Sequence, residues 1–331
     1  PESTCRDLVA LRHAFALLLA AVPRTKEIAP GVHMPTMSLG TCCGSDPSVG
    51  VAPWLASGGV GIDTANDYHD QPAIATALKA TGAARDKIFL TTKVPAGVAA
   101  LHGPGKLDCS LDPQRAVDVL KENLAQLRMT HVDLVLLHGP CELQGTAAAV
   151  DPAKANAAQW QGMQMALSSG LTRAIGVSNY NVTHLEALLA APTTRVKPAV
   201  NQCQMSINGS AFCSPETGVC LHGPGHDDAT IAFCRTHNIT YEAYDVMSGC
   251  PFHDARLGAI ARAHGMSAAQ VCFRWTLQRG AILATGTGHN ATKAALHSKD
   301  DLGTYDPNFE LTGEEMAYLD GIRPQREGVR T

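Results

Sequence analysis

Four side chains that together can deliver a proton stand at or just after the ends of short apolar runs: Asp63 in GIDTA, Tyr68 five residues on, Lys93 closing TTK and His138 closing DLVLLH. A phenol, with a reference pKa near ~10, is a poor acid at neutral pH. An ammonium beside it stabilises the phenolate and pulls that pKa down, while a carboxylate keeps the ammonium charged and aligned. A neutral imidazole donating from Nε2 to the same carbonyl oxygen would orient it and stabilise developing negative charge. The expected roles are therefore Tyr68 as acid, Lys93 and Asp63 as its tuning pair, and His138 as orienting donor. The other half of such a reaction is a hydride, which no side chain supplies, so a nicotinamide is implied. Taken singly each residue has a plainer reading: a strand-end Asp caps a helix, a Lys is solvated, a His after DLVLL is a satisfied core residue.

Something must bring these residues together. Eight short apolar runs punctuate the chain: Met37–Thr41, Gly61–Ala65, Ile88–Val94, Asp133–Gly139, Ala174–Asn179, Ala199–Met205, Ile239–Asp245 and Ala281–Thr287. Each is continuous and bounded by polar residues or Gly, as a strand buried on both faces is. The intervals carry helix signals. Asp112-Pro113 opens AVDVLKENLAQL, Asp227-Asp228 precedes ATIAFCRTH, and Ser267 precedes AAQVCFRWTLQRG, which closes at Gly280. Eight strands alternating with helices imply parallel pairing through right-handed crossovers. The fold class expected is α/β, a (β/α)8 TIM barrel forming a single domain over 27–331 behind an N-terminal extension, 1–26. Enzymes on this fold carry reactive groups at the C-terminal strand ends, where the four residues fall. No Gly-rich turn follows the first strand, so a doubly wound nucleotide fold is not indicated.

Composition narrows the partners. The 331 residues are 45% hydrophobic and 17% charged, which excludes wholesale disorder. A net charge of −4 offers no basic field for nucleic acid or anionic membrane, and 5% aromatics argue against base-stacking platforms. Eleven cysteines include no CxxC pair, so they read mainly as buried thiols, with Cys213 and Cys220 the pair to test for a disulfide. The apolar run Ala14–Val22 behind Arg6 and Arg12 is similar to a signal-peptide core but too short to span a bilayer. Four NxS/T sequons, at Asn181, Asn208, Asn238 and Asn290, would suit a secreted chain, although such triplets also arise by chance. A cytoplasmic location is the expectation, with secretory or organellar targeting by that run as the alternative. The Gly/Pro/Cys-rich stretch between Met205 and Asp227 would lie over the barrel mouth. The HGPG tetrapeptides at His102–Gly105 and His222–Gly225 carry no assigned chemistry.

The chain resembles the aldo-keto reductase superfamily. The likeness is carried by GVHMPTMSLGT, GIDTANDY, TTK, HVDLVLLH, AIGVSNYN, NQCQ and the late ILATGTG, from about Gly31 to Leu302. It implies a proton-relay tetrad on Asp63, Tyr68, Lys93 and His138. It also implies nicotinamide carboxamide contacts on Ser178, Asn179 and Gln202, a stacking ring on Tyr244, and a first-strand turn at Gly40-Thr41 near the cofactor. Further cofactor contacts implied are Asp63, Asp245, Met247, Thr285, Gly286 and Thr287. The cofactor implied is NADP(H), with NAD(H) open; the partner is a small carbonyl substrate; no metal is required; the chain would be a monomer or homodimer.

Departures from the family pattern bear on specificity. His69-Asp70-Gln71 follows Tyr68 in place of the usual Asn-Glu, Cys42 follows Gly40-Thr41 where an aromatic is common, and Val94-Pro95 follows Lys93 where a Trp is frequent. Asp245 replaces a usual Ser. TGTG ends the last strand without the usual Lys-Ser, leaving Lys293 and Lys299 as the cations downstream. The leading expectation is a carbonyl reductase. The alternatives are a noncatalytic nicotinamide-binding barrel acting as a sensor, and a metal-assisted isomerase or hydrolase using Asp63 and His138, for which no dense ligand cluster appears.

Overall fold

A parallel strand buried on both faces leaves its ends as the only places for polar chemistry, and that governs this architecture. The structure, a computed structural model, describes residues 22–96, 109–143, 150–209 and 226–322. The first described elements are an antiparallel hairpin, β1 (Thr25–Ala29) and β2 (Val32–Pro35), which the sequence does not announce; Lys26, the expected last extension residue, lies within β1. There follow β3 (Met37–Gly40), α1 (Pro47–Ala56), β4 (Gly61–Asp63), a single 3₁₀ turn over Asn66–Tyr68 and α2 (Gln71–Thr81). Next come β5 (Phe89–Val94), α3 (Gln114–Leu127), β6 (Val132–Leu137), α4 (Pro152–Ser168), β7 (Thr172–Ser178) and α5 (Val182–Ala190). The remainder is β8 (Val200–Gln204), α6 (Asp228–Thr236), β9 (Thr240–Tyr244), α7 (Ala255–Ala263), α8 (Ala268–Gln278), β10 (Ile282–Thr285), α9 (Ala291–Gly303) and α10 (Gly313–Gly321). Strands β3 to β10 form a closed parallel barrel, with β10 returning to pair with β3. All eight expected strands are present.

Alternation along each strand sorts its residues between two cores. Phe89, Leu134, Leu136, Ala174, Val200 and Ile282 point into the barrel, where Val32 and Met34 of the hairpin pack beneath them as a floor. Ile62, Leu90, Val135, Ile175 and Leu283 point outward and pack with the helices around Trp54 and Trp160. Two steps beyond Phe89 on the same inward face comes Thr91, and two beyond that Lys93. The interior therefore grades from apolar at the floor to polar at the mouth, and the strand period itself delivers Lys93 there.

Helix starts fall at all three expected places. Ser267 caps α8 through a reciprocal box with Gln270, and Gly280 just beyond it takes a left-handed φ of 84°. Asp112 accepts from the Gln114 backbone N–H at 3.0 Å at the start of α3. Asp227 and Asp228 stand at the start of α6 as expected, Asp228 in its first turn, while the Asp227 side chain accepts from the Tyr241 hydroxyl at 2.8 Å rather than capping the helix.

The cysteine reading requires correction. Cys42–Cys43, Cys109–Cys141 and Cys250–Cys272 are disulfides, and the buried-thiol reading holds for Cys203 and Cys234 among the described residues. The cause is tertiary: the turn after β9 lies on α8, and the approach to α3 lies beside the segment after β6, bringing distant cysteines within 6.1 Å and 5.9 Å between Cα atoms. Cys213, Cys220, both HGPG tetrapeptides and the Ala14–Ala21 part of the apolar run lie outside the described residues. Among the described residues, no helix is long and apolar enough to cross a membrane.

Candidate active site

Asp63, Lys93 and His138 share the inward face at the C-terminal ends of β4, β5 and β6, and the 3₁₀ turn after β4 swings Tyr68 over them. Lys93 is fully buried and spends its three ammonium hydrogens on three oxygens. It donates to Asp63 Oδ1 at 2.5 Å, to the Tyr68 hydroxyl at 3.1 Å and to the Thr64 carbonyl at 3.2 Å. On its other side the Tyr68 oxygen lies 3.4 Å from His138 Nε2. The four expected catalytic residues form one cluster.

Their electrostatics differ from the sequence expectation in one respect. Burial works against the Lys93 charge, but Asp63 and the Tyr68 oxygen outweigh it and hold the ammonium above its ordinary range. Tyr68 is not lowered below a free phenol: burial pushes it up to about 12, with the Lys93 charge limiting the rise. The correction leaves the chemistry intact. An alkoxide is comparable in basicity to hydroxide, the conjugate base of water with pKa ~15.7. A phenol near 12 therefore still donates to it downhill.

The inward ends of β7, β8 and β9 carry a second polar group. Ser178 donates to the Gln202 carbonyl at 2.8 Å, and Asn179 Nδ2 donates to the His138 carbonyl at 2.9 Å and to Ser178 Oγ at 3.1 Å. The Tyr244 hydroxyl donates to Asn179 Oδ1 at 2.8 Å. Asn179 sits at φ 63°, a left-handed conformation that Asn tolerates better than most residues, and Asn181 rather than Asn179 caps α5. Gln202 Nε2 is committed to two carboxylates, Asp63 Oδ2 at 2.9 Å and Glu242 Oε2 at 2.8 Å. What remains for a ligand is acceptor capacity, the amide oxygens of Gln202 and Asn179, beside the half-buried Tyr244 ring. That pair of acceptors fits an aromatic carboxamide presenting its NH2 group.

The other expected contacts scatter around the rim. Gly40 ends β3 so close to β10 that a Cβ there would lie 2.9 Å from the Thr285 carbonyl oxygen, and Thr41 donates from both N and Oγ1 to the Asp63 carbonyl. Thr285 faces outward: its hydroxyl donates to Asp301 Oδ2 at 3.0 Å on α9, away from the barrel axis. Gly286 is exposed, whereas the Thr287 hydroxyl is buried without a hydrogen-bond partner. Asp245 is exposed at a left-handed φ of 60° and accepts from Gln204 Nε2 at 2.7 Å, with Met247 half-buried just beyond.

Two site residues escaped the sequence reading. Glu242 lies on the inward face opposite Gln202 in register, and its position two before Tyr244 was the available signal. Asp67 precedes Tyr68 and accepts from His138 Nδ1 at 2.7 Å. Its signal was weaker, because a 3₁₀ turn has no period that says where its carboxylate points. Among the described residues no group of three or more His, Cys, Asp or Glu is placed to hold a metal ion.

Comparison with known proteins bears on this geometry. The sequence pattern of the Aldo/keto reductase family matches residues 53–323. An aldo-keto reductase of Mycolicibacterium vanbaalenii is 31% identical over 314 residues, covering 94% of this chain and 95% of that protein. Morphine 6-dehydrogenase of Pseudomonas putida is 29% identical over 308 residues, 88% of each chain. Among solved structures, a Bombyx mori aldo-keto reductase in complex with NADP superposes with a TM-score of 0.70 at 25% identity, over 90% of this chain and 92% of that one.

Proposed function

Because this chain belongs to the aldo/keto reductase family, whose members are oxidoreductases of carbonyl compounds, we propose that it reduces aldehydes or ketones to alcohols using NADP(H), with Tyr68 as the general acid. The observation that carries this reading is the Tyr68 hydroxyl held between the Lys93 ammonium at 3.1 Å and His138 Nε2 at 3.4 Å. That oxygen lies at the mouth end of the barrel, and its neighbours are fixed before any substrate arrives, which is the preorganisation that charge stabilisation requires.

The residues divide the work as their contacts dictate. Asp63 keeps Lys93 charged and aimed, and Lys93 stabilises the Tyr68 oxygen as its proton leaves for the carbonyl oxygen. The phenolate is reprotonated from solvent. Ser178, Asn179, Gln202 and Tyr244 would hold a nicotinamide by its carboxamide and ring face. When bound, the reduced ring supplies the hydride that converts the carbonyl carbon to the alcohol carbon. The tie between Asn179 and the His138 carbonyl links the two groups, so a ligand on one is oriented against the other.

NADP(H) is favoured by the NADP carried in the Bombyx mori relative. The test is parallel fluorescence titration with NADPH and NADH, followed by an aldehyde and ketone panel read by cofactor consumption. NADPH binding with turnover supports the proposal; tight binding without turnover on any carbonyl would overturn it in favour of a sensing barrel. As to location, the three disulfides among the described residues suit an oxidising compartment and weigh against the cytoplasmic expectation.

A further inference from the structure

We propose that Asp67 is a positioning residue for this reaction: by accepting from His138 Nδ1 it fixes the ring so that Nε2 carries a proton toward the substrate only as an imidazolium. The inference rests on the reductase reading of the same site. The Nδ1 to Asp67 Oδ2 distance is 2.7 Å, and both side chains are largely buried. An ionised carboxylate can only accept, so the bridging proton sits on Nδ1. A neutral imidazole has one N–H, and with that hydrogen on Nδ1 the Nε2 atom is an acceptor. The neutral ring thus cannot act as the expected Nε2 donor, and at 3.4 Å it draws on the Tyr68 hydroxyl instead.

Adding a proton reverses the polarity of this contact. As an imidazolium, His138 donates from Nε2 toward the oxygen that receives the hydride-derived charge, and Tyr68 is released to donate to the same oxygen. Among the described residues the ring is faced by Asp67 and Tyr68 from the 3₁₀ turn and, one hydrogen bond further, by Lys93 of β5 and Asp63 of β4. The Asp67 charge favours the imidazolium and the Lys93 charge opposes it, but Asp67 is in direct contact whereas Lys93 acts across the Tyr68 oxygen. Asp67 therefore sets both which nitrogen is protonated first and how readily the second proton is held.

The experiment reads the ring directly in cofactor-free protein. Nitrogen-15 NMR of histidine-labelled enzyme reports each ring nitrogen, with His138 assigned by its loss in His138→Gln. The neutral ring of the wild type is expected with hydrogen on Nδ1. In Asp67→Asn the protonation midpoint should fall by about one pH unit or more, the range for losing an adjacent opposite charge. In Asp67→Leu the neutral ring should in addition move its hydrogen to Nε2. The alkaline limb of kcat for carbonyl reduction should shift with the NMR midpoint while the Kd for NADPH stays unchanged. A wild-type neutral ring protonated at Nε2, or a midpoint indifferent to Asp67→Asn, overturns the proposal. Full turnover with that wrong tautomer defeats this assignment alone; absence of turnover with the expected tautomer defeats the reductase reading and leaves the assignment of the ring standing.

Discussion

Glu242 accepts a hydrogen bond from Gln202 Nε2 at 2.8 Å, and the same nitrogen donates to Asp63 at 2.9 Å, so one amide stands between two buried carboxyl groups. Burial first, and the Asp63 charge second, push Glu242 up to about 8 from an ordinary 4.5. The folded protein therefore holds a proton on Glu242 at neutral pH that the unfolded chain releases. Its contribution to stability is complete below about 4.5 and is lost as pH rises through about 8. Glu242→Gln keeps the shape and removes the ionisation. Across that window, urea midpoints of the wild type should fall relative to the variant, by on the order of a few kcal/mol in extrapolated stability. Parallel curves would show that Glu242 is already ionised in the fold.

Tyr68→Phe removes the hydroxyl that Lys93 and His138 address and nothing that holds the carboxamide-binding group together. Turnover should fall at least ~10²-fold, the scale of a lost general acid. NADPH affinity by fluorescence titration should remain close to wild type. Wild-type rates would take Tyr68 out of the mechanism.

Lys93→Met strips the phenol of its cation and leaves Asp63 as a buried carboxylate held by Gln202. Breaking a buried pair on one side costs ~3–5 kcal/mol, so Tm should drop along with turnover, and the Tyr68 titration should move still higher. Adding Asp63→Asn should recover much of the Tm and none of the turnover. Recovery of both would mean that the ammonium has a structural role only.

Cys250 and Cys272 close a separation of 22 residues between the turn after β9 and α8. Replacing both by Ser should lower stability by about 3 kcal/mol on the chain-entropy account. The measurement is a denaturant midpoint with and without reductant: the wild type should lose stability on reduction, and the doubly substituted protein should lose less. Equal losses would place the effect of reduction in the other disulfides.

Much of the molecule is determined by sequence alone, because the signals are local. Continuous apolar runs such as Ile88–Val94 and Asp133–Gly139 mark strands buried on both faces, and their period of two sends Lys93 and His138 inward together. The eight-fold alternation then allows few closures, and the four side chains proposed for catalysis emerge as neighbours. Tertiary structure decided what depends on approach between distant segments. The hairpin was missed because short half-exposed strands lack a distinctive pattern until they plug a barrel. The Cys109–Cys141 and Cys250–Cys272 pairings followed from how distant segments approach, and the hydrogen-bond partners of His138 and Gln202 from where a turn and a facing strand put Asp67 and Glu242. Even the direction of the Tyr68 shift was settled only by folding, since the sequence shows the neighbouring charge of Lys93 but not the water that burial removes.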